Sequence, residues 1–233
     1  MKQFAVFGLG VFGESVAKNL MKEGMEVIVV DTDERRIETI KNDVTEAAIM
    51  DSTKEEALLA IDISRVDCAI VCIGDNMEAS ILTSLLLKKL EVPKIIARAN
   101  SEAHRQILSL IGVDEIISPE EEMVLRLARR LSSAHILHHL DISEEHTIAE
   151  VLINDNFVGK TLRELNLRSR FGVNVVGIKK KIPHVTENGE NVFIEKYVDF
   201  PSPDDVFEEG DVLVMVGSER AISEVEKFIE RGE

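Results

Sequence analysis

Short apolar runs alternate with amphipathic stretches through the first half of the chain. The runs are rich in β-branched residues, and several are apolar at nearly every position, as expected of parallel strands buried on both faces. The stretches between them repeat apolar residues at helical spacing. Strands are predicted at residues 4–7, 25–30, 46–50, 66–73, 94–98 and 113–117, each followed by a helix. This alternation predicts an α/β fold, a doubly wound parallel sheet in a Rossmann-like domain.

The pattern changes after Asp141, where strands dominate and helices are short. Strands are predicted at residues 146–153, 173–179, 192–198 and 212–217, and a last helix at 219–229. The segment 183–189 is either a loop or a hairpin with Asn188-Gly189 at its tip. We therefore predict two domains, the Rossmann-like domain over residues 1–139 and a small α+β domain over 140–233.

The last helix of the first domain is predicted to cross towards the second, over residues 119–139. Its apolar stripe is wide and comprises Met123, Val124, Leu127, Ala128, Leu131, Ala134 and Leu137. The stripe is explained either by packing within the chain or by additional packing on a partner subunit. His135, His138 and His139 lie at helical spacing near its end, and they indicate either a metal site or a solvated helix end, which is the default interpretation.

The loop after the first strand has the sequence Gly-x-Gly-x-x-Gly. Gly8 allows a tight turn, Gly10 lets a phosphate approach the backbone, and Gly13 lets the following helix pack closely on the sheet. The N-terminus of that helix attracts phosphate. Asp31 ends the second strand, where an acid accepts hydrogen bonds from ribose hydroxyls and disfavours a 2′-phosphate. The strand, loop, helix, strand and acid together predict a site for NAD or an adenosine nucleotide.

Other strand ends should contribute to the same site, because ligands of doubly wound sheets lie beyond the carboxyl ends of the strands. These ends carry residues 51–53, 72–74 and Arg98. Arg98 either pairs with a terminal phosphate or with a neighbouring acid. The predicted nucleotide-binding residues are Gly8, Gly10, Val11, Phe12, Gly13, Asp31, Thr32, Asp51, Ser52, Thr53, Cys72, Ile73, Gly74 and Arg98.

Charge and cysteine content restrict the function further. The formal net charge is −16, which repels nucleic acids and anionic lipid, so no nucleic-acid partner is expected. Cys68 and Cys72 are the only cysteines and fall in one predicted strand, which places their Cα atoms ~13 Å apart, too far for a disulfide. With no signal peptide or membrane span predicted, we expect a cytoplasmic protein.

The whole chain resembles the cytoplasmic regulatory subunits of Trk/Ktr potassium uptake systems (TrkA/KtrA type), which have an N-terminal and a C-terminal RCK domain. The segments that carry the resemblance are residues 8–13, 30–31, 51–53, 73–80, 111–114, 118–120, 159–162 and 209–211.

The resemblance implies that ATP, ADP or NAD(H) compete for the N-terminal domain. It implies dimers that assemble into an eight-membered ring beneath a membrane potassium-translocating subunit of the TrkH/KtrB type. Nucleotide exchange would then reshape the ring and gate the pore, which is the function of a peripheral membrane subunit without enzymatic activity. The resemblance also places a divalent cation at Glu120, at the dimer interface, and in some members a cyclic di-AMP site in the C-terminal domain.

Val11 departs from the family pattern, because many ATP-responsive members have Arg within the glycine loop. Without that Arg, AMP, ADP or NAD(H) become more plausible ligands than ATP. Two alternatives stay open. The chain could be an NAD-dependent oxidoreductase, although the second domain has no clustered polar residues for catalysis. It could also regulate a cation/proton antiporter or a ligand-gated channel.

Overall fold

The computed structural model describes residues 1–132, 135–143, 145–186, 188 and 191–231. The described chain divides into two compact units, Met1–Glu121 and Glu122–Glu233. The boundary of the functional domains at residues 139/140 stays a prediction.

The first unit, every residue of which is described, contains a parallel six-stranded sheet in the order β3-β2-β1-β4-β5-β6. The strands are β1 (Gln3–Phe7), β2 (Glu26–Asp31), β3 (Glu46–Ile49), β4 (Cys68–Val71), β5 (Ile95–Arg98) and β6 (Glu115–Ile117). The chain runs outwards from β1 to one edge, returns, and continues to the other edge. A crevice therefore opens beyond the carboxyl end of β1, where the strand order reverses.

Helices cover the sheet of the first unit. They are α1 (Val11–Lys22), α2 (Glu34–Ile40), α3 (Glu55–Ala60), α4 (Met77–Lys89) and α5 (Glu102–Ile111), with a 3₁₀ turn at Ile63–Arg65. Two apolar clusters, one containing Phe7 and the other Val6, lie among these elements. Consecutive strand residues point to opposite faces, so both faces of β1 are buried, which explains its continuous apolar run.

Local side chains and a glycine define the ends of α2 and α5. The side chains of Asp33 and Ser101 accept hydrogen bonds from the amides of Arg35 and His104 and so cap α2 and α5. Gly112, at φ +84°, ends α5 in the left-handed conformation that glycine adopts without strain.

The second unit contains an antiparallel sheet, described with five strands in the order β10-β9-β11-β8-β7. The strands are β7 (Ile136–Asp141), β8 (Thr147–Leu152), β9 (Asn174–Val185), β10 (Asn191–Asp199) and β11 (Val212–Gly217). Helices α7 (Leu162–Leu165), α8 (Leu167–Phe171) and α9 (Glu219–Arg231) accompany the sheet. Its core includes Phe157, Phe207 and Leu213. The expected small α+β domain is thus confirmed as a fold class.

The predicted helix over residues 119–139 is too long. Helix α6 covers Pro119–Ser132, and β7 follows it as an edge strand beside β8. His138 and His139 therefore lie on a strand rather than at helical spacing. The apolar pattern of this stretch is compatible with either structure, and the free edge of β8 provides the hydrogen bonds that the strand needs.

The segment 183–189 begins as strand, because β9 continues to Val185. It pairs antiparallel with β10, which favours the hairpin over the loop. Gly189, at the predicted tip, lies outside the described residues. Strand β9 pairs with β11 only as far as Lys179, so Pro183 lies in a two-stranded ribbon, where a residue without an N–H is tolerated.

Candidate nucleotide site

The glycine loop joins β1 to α1, and its outer glycines are required by the fold itself. Gly8 has φ +89°, and a Cβ atom on it would lie 3.0 Å from the Ile73 side chain. A Cβ atom on Gly13 would lie 1.9 Å from the carbonyl oxygen of Gly8, so only glycine fits there. These contacts hold α1 close against the sheet, as the sequence predicted for Gly13.

Gly10 differs from both. Its φ is −66°, and no atom lies within 4 Å of the position that a Cβ atom would take. The backbone conformation and the packing of the protein would therefore both accept a side chain at this position. Gly10 lines the cavity described below, at the N-terminus of α1. The open space beside it suits a phosphate group that approaches the backbone.

Asp31 fixes the loop from the adjacent strand. Its carboxylate is almost buried, with 8% exposed, and accepts hydrogen bonds from the amides of Leu9 at 2.6 Å and Asp33 at 2.8 Å. The guanidinium of Arg36 lies 3.5 Å away. Asp31 therefore holds the glycine loop in place, and it also lines the cavity, where the sequence predicts that it accepts hydrogen bonds from a ribose.

A cavity of about 1110 Å³ opens at the carboxyl ends of the strands. Every predicted nucleotide-binding residue except Gly13, which packs behind the loop, lines this cavity, and so does Glu120. The topology explains this convergence, because β2 and β3 lie on one side of β1 while β4, β5 and β6 lie on the other. The cavity therefore has two ends. One is formed by the β2 and β3 segments and is called the adenosine end after the predicted ligand; the other is formed by the β4, β5 and β6 segments and is called the distal end.

The sequence analysis did not identify ten of the lining residues, which lie beside predicted ones in the chain or within the first two turns of a helix. They are Ser15, Val30, Arg36, Met50, Lys54, Asp75, Asn76, Glu78, Ala79 and Leu82. Arg36 and Lys54 matter most, because the sequence indicated Arg98 as the obvious cation of the site. Arg36 was detectable in principle, since it lies one turn into the helix that begins after Asp31.

At the adenosine end, Asp51 and Thr53 form a compact turn. The amide and hydroxyl of Thr53 donate to Asp51 Oδ1 at 2.9 and 2.6 Å. These hydrogen bonds lower the pKa of the Asp51 carboxyl, so it is charged at neutral pH. Ser52 is buried and bonds Thr83 at 2.8 Å. The turn thus presents polar edges at fixed positions on the cavity wall.

At the distal end, the side chain of Arg98 is one-fifth exposed and forms an ion pair with Glu120. The guanidinium lies 5.5 Å from the centre of the Phe12 ring, within range of a cation–π interaction. A Cβ atom on Gly74 would lie 3.1 Å from Arg98 Nη1, so glycine leaves the space that the guanidinium needs. Of the two roles predicted for Arg98, this structure shows the pairing with a neighbouring acid.

Asn100 supports the same wall. Its side-chain amide donates to the carbonyl oxygen of Gly74 at 2.8 Å, and its Oδ1 lies 3.1 Å from Nδ1 of His104. His104 is fully buried, and burial lowers its pKa, so the ring is neutral at physiological pH. The segment after β4 is therefore held by a neutral hydrogen-bonded pair.

The two cysteines are free thiols, as the sequence predicted. Burial raises the pKa of Cys72, on the cavity wall, to about 12, and that of Cys68 to about 11. Because only a thiolate is a strong nucleophile, neither side chain offers nucleophilic chemistry at neutral pH.

The resemblance places a divalent cation at Glu120, at the dimer interface, so a single chain does not test this prediction. No group of three or more His, Cys, Asp or Glu residues suited to a metal occurs in the described part of the chain. The Glu120 carboxylate bonds the guanidinium of Arg98. The histidines on β7 form no described metal cluster either, and His139 Nε2 lies 2.9 Å from Asp141 Oδ1.

Two family models match the chain, the TrkA-N domain over residues 4–119 and the TrkA-C domain over residues 147–230. The Ktr system potassium uptake protein C of Bacillus subtilis is 38% identical over 228 residues, covering 98% of this chain and 97% of the relative. The chain belongs to the Ktr/TrkA family of potassium uptake proteins. A second family member, the Ktr system potassium uptake protein A of B. subtilis, is 36% identical over 97% of this chain and 96% of its own length.

A solved structure with the family fold is the GsuK channel bound to NAD, with a TM-score of 0.64 and 18% identity over 98% of this chain and 39% of that chain. At this identity the likeness concerns the fold. In the described part of the present chain, no helix is long and apolar enough to cross a membrane.

Proposed function

We propose that this chain is a nucleotide-sensing gating subunit of a potassium uptake system. It acts at the inner face of the membrane beneath a potassium-translocating subunit of the TrkH/KtrB type. The observation that carries the ligand-binding part of the proposal is the open space at Gly10, on a loop that Asp31 holds in place. The role in potassium uptake rests on the relatives, which are potassium uptake proteins and align with this chain over nearly their whole length.

The proposed mechanism is a population shift in an assembly of dimers, expected to form an eight-membered ring. A nucleotide that binds one shape of the ring more tightly by ~1.4 kcal/mol changes the ratio of the shapes tenfold. No bond is made or broken in this mechanism, so the proposed role requires no enzymatic activity. A cyclic di-AMP site in the C-terminal domain stays a prediction without assigned residues.

The candidate ligands are NAD, NADH, ADP, ATP and AMP, and the cavity favours those whose distal group carries no negative charge. Val11, which is 89% exposed, leaves the loop without a cation. Asp75, Glu78 and Glu120 place carboxylates at the distal end, which repel a terminal phosphate. A nicotinamide riboside carries no phosphate at its end and avoids this repulsion. We therefore propose NAD(H) as the preferred ligand.

The test of nucleotide sensing combines thermal shift with transport. We expect NADH to raise the melting temperature, since a ligand at 100 times its Kd stabilises the folded state by ~2.7 kcal/mol. Potassium flux into vesicles that hold the cognate membrane subunit should require this protein and change with the nucleotide. Nucleotide-independent flux would refute gating, and NADH oxidation with an added alcohol or 2-hydroxy acid would indicate the oxidoreductase instead.

A further inference from the structure

The peptide between Gly74 and Asp75 belongs to the distal end of the cavity and is held from outside it. Both residues line the cavity, whereas Asn100, which follows β5, does not. The side-chain amide of Asn100 donates to the carbonyl oxygen of Gly74 at 2.8 Å. Because residue 74 is glycine, its backbone torsions are less restricted than those of other residues. The hydrogen bond from Asn100 therefore sets the direction of this peptide.

His104 fixes which end of the Asn100 side chain faces Gly74. Its Nδ1 lies 3.1 Å from Asn100 Oδ1, and its Nε2 is buried without a hydrogen-bond partner among the described residues. The main-chain amide of Asn100 also lies 3.4 Å from Nδ1, a longer contact. A proton on Nε2 would be an unsatisfied buried donor, so the neutral ring carries its proton on Nδ1 and donates to Oδ1. The NH₂ group of Asn100 is then left for Gly74.

The direction of the Gly74 carbonyl determines the direction of the next amide. The peptide is trans, and a planar trans peptide points its C=O and N–H in opposite directions. Since the carbonyl points to a residue outside the cavity lining, the N–H of Asp75 points the other way. This N–H donates no hydrogen bond to any group in the part of the chain that the structure describes. The Asp75 amide is therefore a free donor on the cavity side.

We infer that Asn100 is a positioning residue for the distal half of a bound dinucleotide. By holding the carbonyl of Gly74, it aims the Asp75 amide at the ligand group that lies beyond the glycine loop. The amide donates there to an uncharged acceptor, such as the oxygen of a ribose or a carboxamide. AMP ends with its phosphate at the glycine loop and does not reach this donor. This inference rests on the nucleotide-sensing function proposed above.

Calorimetric titration of Asn100→Asp with NADH and with AMP tests the inference. The substitution replaces the NH₂ group with an oxygen, so it keeps the acceptor for His104 and removes the donor to Gly74. The new oxygen repels the Gly74 carbonyl, and the peptide should turn its N–H away from the ligand. On the scale of one neutral hydrogen bond, we expect the affinity for NADH to fall about three- to tenfold. The affinity for AMP should stay at the wild-type value.

Ser101→Asp is the matched control for charge. It adds a carboxylate at the next residue, which does not line the cavity. Ser101 caps α5 by accepting a hydrogen bond from the amide of His104, and aspartate is an equally good N-cap residue. The ratio of the two affinities should therefore stay at the wild-type value. A loss of NADH affinity as large as that of Asn100→Asp would attribute the effect to charge and overturn the inference.

Asn100→Leu removes the donor without adding a charge and should reproduce the selective loss of NADH affinity. Because Asn100 is exposed, the fold should tolerate both substitutions. Equal losses for AMP and NADH, or an unchanged ratio in either Asn100 variant, would overturn this inference alone, since a merely structural role does not distinguish the two ligands. If wild-type protein bound neither nucleotide, the proposed function would be refuted, and this inference with it.

Discussion

Gly10 and Gly13 lie three residues apart in one loop, and the protein needs them for different reasons. At Gly13 the reason is internal, because a Cβ atom would overlap the carbonyl oxygen of Gly8. At Gly10 the folded chain supplies no steric reason, since the surrounding space is open and the backbone is in an ordinary conformation. A glycine that the fold does not require is best explained by a ligand that comes close to the backbone.

This difference predicts opposite results for two alanine variants. Gly10→Ala should lower the melting temperature by only a few degrees, because alanine at a helix N-cap costs at most about 1 kcal/mol relative to glycine. Its affinity for NADH should fall at least about tenfold, because the methyl group occupies the space for the phosphate. Gly13→Ala should instead destabilise the first unit by more than about 2 kcal/mol, since backbone must move.

Thermal unfolding and calorimetric titration of both variants measure the two effects separately. Gly13→Ala serves as the control for overall damage to the loop. Nucleotide affinity equal to wild type in folded Gly10→Ala would contradict the assignment of the loop as a phosphate site.

At the scale of elements, α6 and β7 show where sequence patterns are ambiguous. Residues 119–132 form a helix, and residues 136–141 form a strand. The register pairs Ile136 with Val151 of β8, and Ile136 packs against the core of the second unit. Leu137, the next residue, is 37% exposed. The helical prediction instead counted Leu137, and not Ile136, as part of the apolar stripe.

Alanine substitutions at these two neighbours distinguish strand from helix. Ile136→Ala should destabilise the second unit by about 1–3 kcal/mol, because it removes a side chain that contacts the core. Leu137→Ala should cost less than about 1 kcal/mol, since its side chain is partly in solvent. Urea unfolding of the full chain, followed by circular dichroism, gives both values, and a larger loss at Leu137 would favour the helix.

At the scale of the whole molecule, the exposed apolar side chains of α6 require an explanation. They are Met123, Val124, Leu125, Leu127 and Leu131, each between 44% and 73% exposed. Contiguous apolar residues on a helix surface mark an interface in soluble proteins. Of the two explanations that the sequence left open for this stripe, the exposure favours a partner subunit, as the proposed dimers require.

A charge on this helix should therefore disrupt the assembly. We expect wild-type protein to elute in gel filtration as an oligomer and Leu131→Glu to elute at a lower mass. The reason is that an unpaired carboxylate is costly to bury in an apolar interface. Gln106→Glu, which adds the same charge at an exposed position of α5, should leave the elution volume unchanged. A monomeric wild type would refute the ring.

Much of the first unit was predictable because its strands, helix ends and glycine loop are specified by residues that lie close together in the sequence. The central strands β1, β2 and β4 are buried on both faces, so each appears in the sequence as a nearly continuous apolar run. Residues such as Ser101 and Gly112 specify where a helix starts and ends. The glycine loop and Asp31 belong to one short strand–loop–helix–strand unit, and their relation is set by spacing along the chain. The second sheet was harder to delimit, since edge strands lack that continuous pattern.

By itself, the sequence determined the alternation of strands and helices, the position of the phosphate loop and the strand ends that surround the cavity. Only the tertiary structure decided that Arg98 pairs with Glu120, that Arg36 reaches Asp31, and that residues 136–141 join a sheet. The physical reason is how far apart in the sequence the interacting residues lie. Apolar periodicity and turn residues act between neighbours in the chain, whereas ion pairs and edge-strand pairing depend on which groups the completed fold brings together.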